Sequence, residues 1–254
     1  LLKVGGTLVA DPDTRAALWR GVVALRSTTD VVIVHGGGPQ STALARRLGH
    51  EPRMVAGRRV TTDLDLDVAK YTLRGAASAD LVSSACASGV PAVGVAGLDG
   101  GLVRVTRRPP WIVDGETVDF GHVGDVEGVE PRLVRVLLEA RFVPVVCPLA
   151  ADASGQVLNV NADTVALALA LVLGAARLLL VTDSGGVRRD ASDAATLLPE
   201  LSREAYEAGV EEGWISGGMR PKLEGAFSAH EAGVPVVLLG LDDLGTPERG
   251  TRIV

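Results

Sequence analysis

Short apolar runs alternate along this chain with segments of helical periodicity. The apolar runs are Leu1–Val4, Val31–Val34, Ala92–Val95, Val143–Cys147, Leu178–Thr182 and Val234–Leu239, and helical patterns lie at about 12–27, 39–48, 64–88, 130–140, 162–173 and 218–232. Such alternation is typical of parallel strands sandwiched between two layers of helices. The sequence therefore predicts an α/β fold with a mostly parallel central sheet.

The length and composition suit one large domain. With 254 residues, of which 47% are hydrophobic, the chain can bury a large core. Because no linker or repeat interrupts the pattern, we expect a single domain over 1–254. It should have two lobes, about 1–170 and about 171–254, joined by a hinge near 165–178. One segment, 101–124, instead alternates with period two around Asp114-Gly115, which predicts a β-hairpin.

Charge and residue usage exclude several classes of protein. The net charge of −6 and the scattered arginines indicate no nucleic-acid partner. The most apolar stretch, 165–183, is broken by Gly174 and Arg177 and is too short to cross a membrane. Without a signal peptide either, the chain is expected to be soluble and cytoplasmic. Cys86 and Cys147 are expected to be buried free thiols, and the four histidines lack the spacing of metal ligands.

Glycine-rich loops follow several predicted strands. The segment "VVIVHGGGPQS" (31–41) passes from a strand through three glycines into a helix, a junction whose free N–H groups can bind an anion. A tight turn that binds nothing is an equally good interpretation of these glycines alone. Ligands of open α/β sheets bind beyond the carboxyl ends of the strands. We therefore expect one edge to be lined by four glycine loops, at 3–7, 35–39, 97–101 and 182–186.

Lysine is rare in this sequence, and two of the lysines lie at predicted loops. Of 25 lysines and arginines only three are lysines. Lys3 ends the first predicted strand, and Lys222 opens a helix after the segment "SGGMRP". Lysine supplies a compact ammonium group that the planar guanidinium does not mimic. Both are therefore candidates for a ligand site, whereas Lys70 is expected to be a surface residue of the helix at 64–88.

Asparagine is rarer still and is concentrated in one segment. Asn159 and Asn161 are the only two, in "LNVNADTVA", and they lie on the same side of an extended segment. Asp163 follows at the start of a predicted helix. A turn and a helix cap would explain one or two of these three residues, but less easily all three.

Six motifs in a fixed order resemble the amino acid kinase family. They are "KVGG", "VHGGGP", "GRRVT", "LNVNAD", "TDSGG" and "GGMRPK", and the similarity extends through "GHVGDV" (121–126) to "GTRIV" (250–254). The nearest branch phosphorylates the side-chain carboxylate of N-acetyl-L-glutamate with ATP, giving N-acetylglutamyl phosphate in arginine biosynthesis. The resemblance implies a three-layer αβα sandwich with two lobes.

The resemblance also assigns roles by position. Lys3 and Lys222 would contact the transferring phosphoryl group, and Asp163 would hold the two ammonium groups. Arg59 would pair with a substrate carboxylate. The remaining substrate-binding residues would be Gly37, Gly38, Asn159 and Asn161. ATP would be bordered by the segments Asp183 to Arg188 and Gly213 to Lys222, and its contacts would come from Gly5, Gly6, Asp183, Ser184, Gly185, Gly186, Val187, Arg188, Gly218 and Met219.

The implied chemistry is consistent with the scarcity of histidine. A carboxylate nucleophile with an ordinary pKa near 4.3 is ionised at neutral pH and needs no general base. Catalysis then depends on positioning and on stabilising negative charge. The resemblance assigns no metal ligand to the protein, and Mg²⁺ would be held mainly by ATP oxygens.

Three departures from the family pattern are visible. Arg58 stands where the family usually has leucine, so that either Arg58 or Arg59 could meet the substrate. Ser78 and Ala79 replace a usual Asn-Lys pair, a change expected to affect packing or a dimer face. The nucleotide loop reads "DSGG" at 183–186 instead of the pattern D-V-x-G.

Two alternative functions are consistent with the same motifs. One is phosphorylation of aminoadipate held on a carrier protein in lysine biosynthesis. The other is nucleotide binding by a non-catalytic regulatory protein, although such a protein would not need both lysines. The small-residue helix at 64–88 forms a two-fold contact in the family, which implies a homodimer. Because the chain starts inside the first strand, without room for a preceding helix, we expect its activity to be insensitive to arginine.

Overall fold

The computed structural model describes all residues from Leu1 to Val254. Its strands are β1 (Leu2–Val4), β2 (Ile33–His35), β3 (Met54–Val55), β4 (Arg58–Arg59), β5 (Ala92–Ala96), β6 (Val103–Arg107), β7 (Trp111–Val113), β8 (Glu116–Val118), β9 (Gly124–Val129), β10 (Val143–Cys147), β11 (Leu149–Ala151), β12 (Val157–Asn159), β13 (Leu178–Val181), β14 (Glu200–Leu201), β15 (Val236–Leu239) and β16 (Thr251–Ile253).

The helices lie between these strands, as the periodicity predicts. They are α1 (Gly6–Ala10), α2 (Pro12–Arg26), α3 (Gly38–Arg47), α4 (Asp63–Ala69), α5 (Ser78–Ala87), α6 (Arg132–Glu139), α7 (Ala162–Leu173), α8 (Arg203–Glu211) and α9 (Met219–Glu231). Short 3₁₀ turns occupy Asp99–Gly101, Ala194–Thr196, Leu241–Asp243 and Pro247–Arg249. None of the helices is long and apolar enough to cross a membrane.

A mostly parallel sheet of eight strands forms the centre of the molecule. The strand order is β14-β16-β15-β13-β1-β2-β10-β5, and β1 pairs in parallel with both β13 and β2. β16 runs antiparallel to β15, and β14 pairs in parallel with β16, so these two strands run against the other six. The predicted α/β fold with a mostly parallel sheet is therefore confirmed.

The core lies on both faces of this sheet because successive strand residues point to opposite sides. Leu178 and Leu180 belong to a cluster of 29 buried residues that packs on α7 and α9. Leu179 and Val181 belong to a second cluster of 20 buried residues that packs on α2 and α5. Central strands buried on both faces explain why the sequence shows continuous apolar runs instead of alternation.

The helix predicted at 64–88 is divided into three sections. α4 begins with a capping box between Thr62 and Asp65, a π-helix spans Lys70–Ala77, and α5 follows without a break. In the π segment the Thr72 hydroxyl donates to the carbonyl oxygen of Val68 at 2.7 Å. This bond occupies an acceptor of the regular helical ladder, which periodicity alone does not reveal.

The predicted hairpin has two tiers. Asp114 and Gly115 have positive φ values of 50° and 82° and join β7 to β8. β6 and β9 pair antiparallel at its base and continue into a four-stranded sheet of order β12-β11-β6-β9.

The two cysteines differ in environment, which corrects the expectation that both are buried. Cys147 is fully buried at the end of β10, and burial raises the pKa of its thiol to about 11. Cys86 is exposed on α5. A helix with many small residues gives little sequence information on which face is covered.

Ser78 and Ala79, the departure from the family in this helix, also differ in exposure. Ser78 is buried, and its Oγ would lie 2.4 Å from a Cβ on Gly94 of β5. Ala79 is exposed. The first substitution therefore affects packing between α5 and the sheet.

His35 lies at the end of β2, and its burial leads us to predict that the folded protein loses stability in acid. Burial lowers the pKa of His35 to about 4, although the hydrogen bond between Nδ1 and the carbonyl oxygen of Gly36 opposes this shift. The Nε2 atom is buried without a partner. The unfolded chain takes up a proton near pH 6.5 and the folded chain near pH 4, so the free energy of unfolding falls between these values.

Between pH 7 and pH 4 this loss should approach ~3 kcal/mol. Urea unfolding of the wild type and of His35→Asn, which can keep a donor to Gly36, measures it. The variant should have the flatter pH dependence over this range. If the free energy of unfolding changed equally with pH in the two proteins, His35 would not be the cause of the loss of stability in acid.

Candidate functional site

Three of the four glycine loops meet at one edge of the central sheet. The loops at 3–7, 35–39 and 182–186 follow β1, β2 and β13, which are neighbours in the sheet. The loop at 97–101 follows β5 at the sheet edge, and β10 separates it from β2. There the Asp99 carboxylate accepts from the N–H of Ala96 and pairs with Arg74 at 2.9 Å. Because β5, β10 and β2 are parallel, the loop at 97–101 lies at the same carboxyl edge of the sheet as expected, but it is two strands away from the loop after β2.

A polar cavity of about 260 Å³ opens at this edge. Its wall comes from β1, the β2–α3 loop, β4 and the start of α7, which lie far apart in the sequence between residues 3 and 163. Its lining residues are Lys3, Gly6, Gly36, Gly37, Gly38, Ser41, Arg59, Ala69, Leu73, Pro148, Asn159, Val160, Asn161, Ala162 and Asp163. Ser41, Ala69, Leu73 and Pro148 were not predicted, because their residue types carry no chemical signal.

Close approach of two backbones explains the glycines of the first two loops. A Cβ on Gly6 would lie 2.9 Å from the Cα of Gly37, and a Cβ on Gly37 would lie 2.4 Å from Leu73 Cδ2. Gly6 is therefore needed for contact between the two loops, and Gly37 for contact between its loop and the π segment. At Gly38 nothing lies within 4 Å of the Cβ position. Gly38 and the start of α3 thus leave open space beside free helical N–H groups, where an anion fits.

Lys3 and Asp163 form an ion pair inside the cavity. The distance from Lys3 Nζ to Asp163 Oδ1 is 2.9 Å, and the two side chains are 11% and 28% exposed. Asp163 lies in the first turn of α7, where the helix dipole favours a negative charge. The pair is thus well shielded from solvent but still reachable by a ligand.

Lys222 belongs to the same cluster, although it lies on α9, far along the chain from Lys3 and Asp163. The pKa of Lys222 is lowered, first by burial and then by repulsion from Lys3, while Asp163 and Asp183 act in the opposite direction. Asp183 in turn accepts a hydrogen bond from the Thr7 hydroxyl at 3.1 Å. We call Lys3, Asp163, Asp183 and Lys222 the charged cluster.

The asparagines have separate roles in the structure. Asn161 caps α7, and its Oδ1 accepts from the N–H groups of Asp163 and Thr164 at 2.7 and 3.2 Å. Asn159 instead donates from Nδ2 to Thr61 Oγ1 at 3.3 Å. Both line the cavity. The helix cap predicted as an alternative is therefore present, and it also orients Asp163.

Arg59, and not Arg58, lies in the cavity wall. Its Nη2 donates to Thr42 Oγ1 at 2.6 Å, and its Nη1 donates to Asp65 Oδ1 at 3.4 Å. The Arg59 side chain is 12% exposed. Arg58 lies on the other face of β4, with its Cζ 5.1 Å from the centroid of the Trp111 ring.

Asp65 supports Arg59 from behind and was missed in the sequence. It is buried, and its Oδ2 lies 3.1 Å from His50 Nε2. Burial raises the pKa of Asp65, but hydrogen bonds from Thr62 and His50 outweigh it, so the pKa lies below its ordinary value. An aspartate in the first turn of a helix normally indicates only a cap.

The loop at 183–188 is held mainly by internal contacts. The Ser184 hydroxyl donates to the carbonyl oxygen of Gly186 at 2.6 Å, and the N–H of Val187 donates to Thr251 Oγ1 at 2.9 Å. Gly185 and Gly186 have φ values of 76° and 144°. The Val187 side chain is buried in the core, so it leaves only backbone for a ligand.

Arg188 and the start of α9 are the remaining predicted nucleotide contacts, and they differ in burial. Arg188 is half-buried and forms a β-bridge with Leu197. Gly218 precedes α9 and has open space where a Cβ would lie, whereas Met219 packs partly against the larger core cluster. No group of three or more His, Cys, Asp or Glu side chains in the structure could hold a metal ion.

Comparison with known proteins agrees with this architecture. A sequence model of the amino acid kinase family matches residues 1–240. Acetylglutamate kinase from Anaeromyxobacter dehalogenans (strain 2CP-C) is 46% identical over 250 residues, which cover 94% of this chain and 90% of that protein. Acetylglutamate kinase from Methanopyrus kandleri is 43% identical over 254 residues, which cover 100% of this chain and 99% of that protein.

Solved structures share the fold. The protein smu.665 from Streptococcus mutans UA159 superposes with a TM-score of 0.78 at 25% identity, covering 100% of this chain and 97% of that one. Giardia carbamate kinase gives a TM-score of 0.66 at 17% identity, covering 100% of this chain and 97% of that one. At this low identity the second likeness concerns the fold alone. From the family match and the two acetylglutamate kinase relatives together, the chain belongs to the amino acid kinase family.

Proposed function

We propose that this protein transfers the γ-phosphoryl group of ATP to the side-chain carboxylate of N-acetyl-L-glutamate, a step of arginine biosynthesis. The observation that carries this proposal is the cavity that is lined by the Lys3–Asp163 pair together with Arg59 and Asn159. It is supported by relatives named acetylglutamate kinase at 43% and 46% identity over nearly the whole chain.

The charged cluster suits phosphoryl transfer between two anions. The carboxylate oxygen attacks the γ-phosphorus, the bond from that phosphorus to the β,γ-bridging oxygen breaks, and ADP leaves. Lys3 and Lys222 lie on different elements and would stabilise the charge on the transferring group from two sides. Asp163 offsets the repulsion between the two ammonium groups, and its negative charge opposes the lowering of the Lys222 pKa by burial and by Lys3.

Recognition of the acceptor would come from the opposite wall of the cavity. Arg59 presents a planar guanidinium whose orientation is fixed by Thr42 and Asp65, and such a fork suits a carboxylate. Asn159 would hydrogen-bond the acetylated amino group, with Asn161 on the same wall. Backbone N–H groups at Gly37 and Gly38 would bind the remaining negative charge.

ATP would lie across the loops of the second lobe. Gly5, Gly6 and the segment Asp183 to Arg188 would border its phosphates, and Gly218 and Met219 at the start of α9 would border the remainder. Asp183 in these loops is an acidic side chain that acts electrostatically on Lys222. Mg²⁺ prefers phosphate oxygens and water. ATP itself would therefore supply most of its ligands, with Asp183 as the protein group available to it.

A trapping assay tests the proposed substrate. The protein is incubated with ATP, Mg²⁺ and hydroxylamine, which converts an acyl phosphate into a stable hydroxamate. N-acetyl-L-glutamate should give hydroxamate, whereas L-glutamate and N-acetyl-L-aspartate should give little. If hydroxamate formed only with carrier-bound aminoadipate, that compound and not N-acetyl-L-glutamate would be the acceptor. Nucleotide binding without any hydroxamate would indicate a non-catalytic protein.

We also propose that the protein is a homodimer. β5 is the edge strand of the central sheet, and Ala92, Val93 and Gly94 on it are only half-buried. The neighbouring helix carries many small residues, and Tyr71 on the adjoining π segment is 64% exposed. Light scattering should give twice the chain mass of 26.2 kDa. A mass of one chain at micromolar concentration would contradict the proposal.

A further inference from the structure

The two adjacent arginines of β4 point to opposite faces of their strand, as the strand period requires. Arg59 lines the cavity, while Arg58 lies over the indole ring of Trp111, 5.1 Å from its centroid. Trp111 belongs to β7 in the two-tiered hairpin. One arginine of the pair therefore faces the ligand site, and the other connects its strand to a different hairpin.

The Trp111 ring is itself held by a second arginine. Arg108 Cζ lies 4.3 Å from the ring centroid, and Arg108 donates from Nε and Nη2 to Asp125 Oδ1 at 2.9 and 2.5 Å. The Arg108 side chain is only 6% exposed. We call Arg58, Arg108, Trp111 and Asp125 the Trp111 stack. Cation–π contacts of this kind gain strength when they are shielded from water.

Apolar packing on the hairpin that carries Arg59 is sparse, and backbone bonds hold its end, where the N–H of Thr61 donates to the carbonyl oxygen of Phe120 at 2.9 Å. β3 and β4 contain two residues each, and their turn at Ala56 and Gly57 has positive φ values of 47° and 74°. Val55 and Val60 pack on a separate cluster with only three buried members, Val118, Phe120 and Val123. On the face of β4 that points away from the cavity, the Trp111 stack is therefore the side-chain contact that adds to this backbone anchor.

We propose that Arg58 is a positioning residue, whose stacking on Trp111 holds the β3–β4 hairpin where the Arg59 guanidinium meets the acceptor's carboxylate. This inference rests on the proposed function. Arg58 touches neither cavity nor ligand, so its effect passes through Arg59. Loss of the stack should weaken acceptor binding without removing any group from the charged cluster.

Steady-state kinetics of Arg58→Leu test this role. The KM for N-acetyl-L-glutamate should rise about tenfold, as expected from loss of one shielded cation–π contact. The KM for ATP and kcat at saturating acceptor should stay within about twofold of the wild-type values. Arg58→Lys retains a cation over the ring and should remain within about threefold in all three constants.

Arg53→Leu is the matched control. Arg53 is exposed and lies directly before β3, so the variant loses a guanidinium close to the same hairpin but outside the Trp111 stack. Its constants should equal those of the wild type. If Arg53→Leu and Arg58→Leu raised the acceptor KM equally, loss of a positive charge near the hairpin would explain the rise, and the positioning role would be wrong.

Coupling to Arg59 distinguishes positioning from a loss of overall structure. In an Arg59→Lys background, Arg58→Leu should raise the acceptor KM by less than about twofold, because the fork that it positions is already absent. A full tenfold rise in that background, or a parallel fall in kcat, would overturn the inference.

Hydrogen exchange gives a readout that does not depend on turnover. The Val60 N–H donates to the carbonyl oxygen of Arg53 across the hairpin at 2.9 Å. Its exchange should be about tenfold faster in Arg58→Leu and unchanged in Arg53→Leu, while amides of the central sheet keep their rates. Unchanged exchange of Val60 would refute the positioning role, whichever substrate the protein uses. Absence of hydroxamate from the wild type would instead refute the proposed function.

Discussion

Lys3→Ala and Lys222→Ala should each lower kcat by about a hundredfold to a thousandfold, the range measured when one preorganised donor is removed from a developing charge. Both ammonium groups lie in the charged cluster, where the distance from Lys3 Nζ to Asp163 Oδ1 is 2.9 Å. The ammonium groups stabilise the negative charge on the transferring phosphoryl group more strongly in the transition state than in the bound reactants. The KM values for acceptor and ATP should therefore change much less than kcat.

Lys70→Ala provides the control for these two variants. Lys70 lies at the start of the π segment and pairs with Asp67 at 3.0 Å on the surface, with 41% of its side chain exposed. Its kinetic constants should match those of the wild type. Near-normal turnover of both Lys3→Ala and Lys222→Ala would contradict the role of the charged cluster.

Arg59→Lys should raise the KM for N-acetyl-L-glutamate about ten- to a hundredfold while leaving the KM for ATP nearly unchanged. The guanidinium of Arg59 is held by Thr42 at 2.6 Å and by Asp65 at 3.4 Å, and it lines the cavity beside Asn159. Lysine keeps the charge but loses the two parallel N–H groups, so a bidentate contact with a carboxylate is no longer possible.

Arg47→Lys is the matched control, because Arg47 is exposed at the end of α3. It should leave the constants for both substrates unchanged. If Arg59→Lys altered the KM for ATP alone, Arg59 would belong to the nucleotide site. The assignment of the cavity to the acceptor would then be wrong.

The fold could be predicted in detail where local signals and tertiary packing agree. The helix predicted at 162–173 has these same bounds in α7, because Asn161 caps its start and Gly174 ends it in the left-handed conformation at φ 62°. The π-helix at Lys70–Ala77 could not be predicted, since its residues have ordinary helical periodicity. The loop at 97–101 lies at the predicted edge, but its distance from the other three loops could not be predicted, because strand order in the sheet depends on long-range pairing.

In the site, too, local sequence signals identify individual residues, whereas long-range packing determines which of them come together. Rarity drew attention to Lys3, Lys222 and Asn159, and the structure brings Lys3 and Asn159 into one cavity, with Lys222 in electrostatic contact with Lys3. Adjacent arginines could not be distinguished from their order alone, because only the packing of β4 against Trp111 determines which one faces the cavity. Asp65 likewise has the sequence pattern of a helix cap and gains its second role from Arg59.

Isotope transfer from the acceptor gives the most direct test of phosphoryl transfer to a carboxylate. N-acetyl-L-glutamate labelled with ¹⁸O in both side-chain carboxylate oxygens is incubated with the protein, ATP, Mg²⁺ and hydroxylamine. Hydroxylamine attacks the acyl carbon, and the phosphate departs with the bridging oxygen that came from the carboxylate. We predict one ¹⁸O atom in each phosphate released with hydroxamate. Phosphate without ¹⁸O would show that the protein only hydrolyses ATP, and would contradict the proposed reaction.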